Sequence, residues 1–186
     1  MPIPLGILAA AGFVAPSGGS YDLLSTTILT SNQASVTFAS LAAYAADYQH
    51  LQIRAVFKQG DTGFGGGFIQ FNGDASSNYS WHFLRGNGSS ATSGGALNAT
   101  RIETLLVRNN VSEIFMPAIY DILEPFATSK YTTLRGLLGA PNTAGTFLEL
   151  MSGSWRNTAS LTSITFTAPE TLLTGSRFSL YGLRKV

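Results

Sequence analysis

Residues 71–83 read Phe71-Asn72-Gly73-Asp74-Ala75-Ser76-Ser77-Asn78-Tyr79-Ser80-Trp81-His82-Phe83. An acid, three serines, two asparagines and one of the chain's two histidines fall in this short span. Such density fits an active site, a sugar or metal site, or a decorated turn. The pattern favours the turn. Asn72-Gly73 is a two-residue hairpin signal, because both residue types tolerate positive φ. Asp74, Ser76, Ser77 and Asn78 form turns readily through side-chain to backbone hydrogen bonds. Tyr79, Trp81 and Phe83 then alternate with Ser80 and His82, which places three rings on one face of a strand. The stretch reads as a tight hairpin with Trp81 and Phe83 turned inward.

The same alternation runs outward from it. In 50–58, Leu51, Ile53, Ala55 and Phe57 share one face, with Gln52, Arg54 and Lys58 on the other. Strands are also expected over 22–30, 35–39, 68–71, 79–85, 101–108, 113–123, 131–138, 146–151, 161–167 and 177–185. Residues 30–33 read as a turn, and the Ala-rich 41–48 as one or two helical turns. The glycine-rich 60–67 and 86–96 read as loops. Many short strands at this spacing, with no sustained helical period, predict an all-β fold. The expectation is an antiparallel β-sandwich, jelly-roll-like, with an extended apolar N-terminal arm. Some strands are apolar on both faces. In 113–123, Ile114, Met116, Ala118 and Tyr120 oppose Phe115, Ile119 and Leu123, which suggests a further layer such as a neighbouring protomer.

At 186 residues one domain is the default, here 21–186 behind an arm and hinge at 1–20. The net charge of +1 points to no nucleic acid and no membrane surface. Charged residues make up only 11% of the chain, against about 25% in ordinary domains. Serine and threonine, 20 and 19 residues, fill the gap. A surface so poor in charge is suited to cover by other protein, because interface cores are depleted of charge. There is no cysteine, so disulfides, thiolate metal sites and cysteine catalysis are all excluded.

The arm MPIPLGILAAAGFVAPSGGS has no charged side chain before Asp22. Its apolar run is too short and too interrupted for a membrane span, which needs about 20 apolar residues. Ile3, Leu5, Ile7, Leu8, Phe13 and Val14 are its large apolar side chains, and Pro16 to Ser20 form a hinge. The arm reads as a peptide that docks into a neighbouring subunit; the alternative is a plug in its own core.

Nothing in the sequence seeds catalysis. His50 and His82 lack acidic, histidine or cysteine neighbours at metal-ligand spacing. No GxSxG elbow or P-loop lysine is present. Oxygen ligands for calcium exist near Asp61 and Asp74, but without the density of an EF-hand loop. No metal, no cofactor and no enzyme activity are expected.

Several segments in order resemble a family of small virion structural proteins of tailed bacteriophages. They are the Y-x-H-L-x-I-R strand at 48–54, F-N-G-D…N-Y-S-W-H at 71–82, W-R-N-T at 155–158 and the closing F-x-L-Y-G strand. The resemblance extends from about residue 21 to the end of the chain. It implies a virion location and a non-enzymatic role, with other virion proteins as partners, either the major capsid protein or tail proteins. The expected role is a capsid decoration (cement) protein, as a homo-oligomer and specifically a trimer. The alternative is a tail-fibre or receptor-binding head that recognises a host glycan. Asn78, Tyr79, Trp155 and Asn157 would then be its surface recognition residues.

Overall fold

The computed structural model describes residues 20–60, 67–104, 115–140 and 147–185. The arm with Ile3, Leu5, Ile7, Leu8, Phe13 and Val14, and the Asp61 loop, lie outside the described residues. Twelve strands run in chain order among the described residues. They are β1 (Tyr21–Ile28), β2 (Gln33–Phe38), β3 (Tyr48–Phe57), β4 (Gly67–Phe71), β5 (Tyr79–Gly86) and β6 (Ala91–Ala99). Then follow β7 (Ile102–Thr104), β8 (Met116–Leu123), β9 (Thr132–Ala140), β10 (Phe147–Trp155), β11 (Ile164–Leu172) and β12 (Arg177–Arg184). They form two sheets, ordered β1-β12-β3-β8-β9-β10-β5-β6 and β2-β11-β4-β7. The strand pairings in both are antiparallel.

The sheets meet through period-two faces. Leu51, Ile53, Ala55 and Phe57 of β3 are buried, as are Met116, Ala118, Tyr120 and Ile122 of β8. Facing them from the smaller sheet are Val36, Phe38, Ile69, Phe71, Ile164 and Phe166. Phe57, Phe166 and Phe178 interlock with ring centroids 5.2 to 5.5 Å apart. Each such buried side chain stabilises the fold by roughly 1.5–3 kcal/mol relative to exposure.

Without β5, β6, β9 and β10, four strands remain in each sheet, β1-β12-β3-β8 over β2-β11-β4-β7. The pairs β1/β2, β3/β4, β7/β8 and β11/β12 are consecutive among those eight, and the members of each lie in opposite sheets. This wrapping is that of a jelly roll. The fold expectation therefore holds, with an addition. Two hairpins, β5 with β6 and β9 with β10, extend one sheet by four strands and join each other through β5 and β10. The short 3-10 turn Leu41–Tyr44 accounts for the Ala-rich segment.

Two expectations fail in instructive ways. Residues 71–83 are not a hairpin. Asn72 and Gly73 do take φ of 53° and 66°, and the Asp74 N–H donates to the Phe71 carbonyl at 2.9 Å. The turn forms, but β4 lies in the small sheet and β5 in the large one, so the chain crosses between layers. Residues 86–96 are not simply a loop, because 91–99 form β6. Asn87 closes the turn by accepting from the Ser89 and Ser90 N–H groups at 3.0 and 2.7 Å. Gly94 then lets the Phe83 ring lie across it, where a Cβ would sit 2.8 Å from that ring. Composition alone hid a strand whose glycines are a packing requirement.

Candidate functional site

The polar residues of the opening stretch meet at the corner between the sheets. The Asp74 carboxylate accepts from the Trp155 indole N–H at 2.8 Å, the Asn78 amide at 2.8 Å and the Ser76 N–H at 2.8 Å. Burial pushes this carboxyl up, but the hydrogen bonds from Trp155, Ser76 and Asn78 outweigh it and hold it well below the usual range. Tyr79 is fully buried, and its hydroxyl accepts from the Phe71 N–H at 3.1 Å and donates to the Asp74 carbonyl at 3.0 Å. Burial raises that hydroxyl to about 12. The Asn72 side chain accepts from the Thr162 and Ser163 N–H groups at 2.7 and 3.1 Å. Arg156 completes the corner, donating to the Ser77 carbonyl at 3.0 Å and to Asn98 at 2.6 Å. The segments at 71–82 and 155–158 thus touch one another as structural scaffolding.

The recognition set needs correcting. Tyr79 and Trp155 are 0% and 1% exposed, so neither meets a ligand. They stack on each other at 6.4 Å, because they are cross-strand partners on the inner face of β5 and β10. Asn78 and Asn157 are half-buried. Asn78 is tied to Asp74, and Asn157 accepts from the Ala159 N–H at 2.9 Å as a turn former. The four residues form no shared surface. Trp81 and Phe83 are half-buried against the core, as expected of their face.

The histidines lie apart. His50 Nδ1 accepts from the Glu124 N–H at 3.1 Å, and His82 is exposed on β5. Among the described residues no group of three or more His, Cys, Asp or Glu is placed to hold a metal ion.

What the structure adds is the outer face of the large sheet. Ile119, Leu137, Leu150 and Leu84 are direct register partners across β8, β9, β10 and β5. They are 40, 44, 52 and 53% exposed. Leu148, 56% exposed, sits between Gly139 and Gly86 one step along the strands, and exposed Val56 pairs with Pro117 nearby. The next row the other way is polar. Asp121 accepts from Gln52 at 2.7 Å and from Arg135 at 3.0 Å. Arg54, which flanks Ile119, turns instead onto the Tyr181 ring at 4.8 Å and donates to Gln52 at 2.7 Å. A shallow groove of about 410 Å³ runs between the two rows, lined in part by Ile119, Leu137, Leu150 and Arg135. These half-exposed aliphatic side chains occupy adjoining positions, and it is contiguous apolar surface, not singly scattered residues, that calls for an interaction reading. The signal was visible in the sequence as strands apolar on both faces, Ile119 of 113–123 among them.

Comparison with known proteins returns no match: no family model, no curated protein and no solved structure resembles the chain closely enough to assign it.

Proposed function

We propose that the chain is a non-enzymatic structural part of a tailed-phage virion, a capsid decoration protein that works as a homo-oligomer, with a trimer the first state to test. The observation that carries this reading is the aliphatic row on the outer face. Three of its four members lie on the two hairpins added to the jelly roll, so the addition carries exposed apolar surface, which supports a role in assembly. Jelly rolls serve capsid, lectin and enzyme folds alike, so the fold alone does not choose among them. The charge-poor composition and the resemblance at 48–54, 71–82 and 155–158 support the virion choice. The mechanism is mechanical. Burying apolar area over junctions between capsid subunits contributes about 25 cal/mol per Å², less the cost of association. Repetition over a lattice raises occupancy.

The glycan-binding fibre head has lost its two aromatic residues, Tyr79 and Trp155, to the core. Quantitative mass spectrometry of purified particles tests the proposal. The expected result is the chain at a copy number comparable to that of the capsid lattice. Its absence from particles, or a copy number suited to a tail tip, overturns it.

A further inference from the structure

We propose that the aliphatic row of β8, β9, β10 and β5 is the receiving surface for the apolar N-terminal arm, residues 3–14, of a neighbouring copy of this chain. The inference deepens the assembly reading above by naming the surface and the segment that occupies it. It does not depend on where in a particle the assembly sits.

Three observations converge. The arm carries six large apolar side chains and no charge. It therefore needs an apolar receptor, and electrostatics does not steer it elsewhere. The outer face offers one, with Ile119, Leu137, Leu150 and Leu84 in a cross-strand row and Leu148 beside it. The polar row of Asp121 and Arg135 bounds this surface along one side and already satisfies its own charges, at 3.0 Å. An uncharged peptide can then lie beside it without leaving an ion unpaired.

The point where the arm joins the domain favours a neighbour over the arm's own domain. The arm enters at Tyr21, the start of β1, which is the far edge of the sheet from β5. Tyr21 pairs with Leu183, whose partner His50 pairs with Leu123, so the entry point lies four residues along the strands from the row containing Ile119. Strands are about 4.8 Å apart and residues rise about 3.3 Å, so the centre of the patch lies roughly 25 Å away. Six residues, 15–20, lie between Val14 and Tyr21, and the seven steps from one to the other span about 25 Å at full stretch. β1 runs from the level of Leu123 toward that of Ile119, since Thr26 lines up through Ser179 and Arg54 with Ile119. The chain therefore enters β1 from the end away from the row, and to lie on its own domain the arm would have to reverse at that entry. Docking on a neighbouring copy requires no such reversal.

The absence of native cysteine makes a clean test possible. Full-length Ile7→Cys and full-length Leu150→Cys are purified separately, checked for an unchanged melting temperature, mixed and oxidised mildly. Thr37→Cys, exposed on the outer side of the smaller sheet, replaces Leu150→Cys as the control. Docking raises the local thiol concentration, so the Ile7/Leu150 mixture should give about tenfold more mixed dimer than the Ile7/Thr37 mixture. Equal yields in the two mixtures overturn the proposal. So does a chain carrying both Ile7→Cys and Leu150→Cys that closes only within itself, at monomer mass. Neither result bears on whether particles contain the chain, so this test and the particle census fail independently.

Discussion

The Asp74 carboxylate joins the indole of Trp155, 81 residues away, to the turn at 76–78, and Tyr79 and Arg156 lock the same corner from either side. Replacing Asp74 with Ala removes charge-assisted hydrogen bonds and should lower stability by about 2–3 kcal/mol. Urea unfolding at neutral pH measures it. The pH dependence follows from the sign of the shift. The folded carboxyl titrates below its unfolded value of about 3.9, so its stabilisation is present above that value and is lost as pH falls further. Asp74→Asn should therefore show a flatter loss of stability than the native chain below about pH 4. An unchanged slope would mean the carboxylate is not what holds the corner. At this scale the turn chemistry of residues 72–78 was legible, because it is local. The burial of Trp155 was not, because the partner of its N–H lies on another element and nothing near 155 in sequence announces it.

Among the elements, the two added hairpins separate what pattern reveals from what it hides. β3 and β8 alternate cleanly, and their inner faces were readable residue by residue. β6 was not, since Ala91 to Ala99 holds two glycines, no charge and no proline, a composition shared with loops. It becomes a strand through pairing with β5 and the fit of Phe83 over Gly94. Gly94→Val should force that ring aside and cost about 1–3 kcal/mol, with faster amide exchange confined to β5 and β6. Uniform exchange across the large sheet would contradict a local role. Gly136 in β9 offers a deeper test, since a Cβ there would lie 2.8 Å from Met151 and 2.9 Å from Tyr120. Tyr120 is held by a 2.7 Å hydrogen bond to Thr104 and cannot easily yield. Gly136→Val should therefore destabilise at least as much as Gly94→Val, and thermal unfolding compares the two. The crossing at 72–78 carries the local chemistry of a hairpin for a related reason. A turn of positive φ dictates a local reversal, while the sheet that the next strand joins is decided by tertiary pairing.

On the scale of the whole molecule, a jelly roll has been widened on one sheet, and the widening carries exposed aliphatic side chains. Because Leu137 and Leu150 are about half exposed, changing both to Ser should leave the melting temperature nearly unchanged. The same change should abolish higher-order assembly, read as molar mass by light scattering. A large fall in melting temperature with assembly intact would show the row to be core packing. The most direct measurement is an electron cryo-microscopy map of the purified particle. The expected map holds this chain over junctions of the capsid lattice, with the outer face of β8, β9, β10 and β5 covered by neighbouring protein. A map that lacks the chain, or that leaves this face open to solvent, contradicts the proposed role.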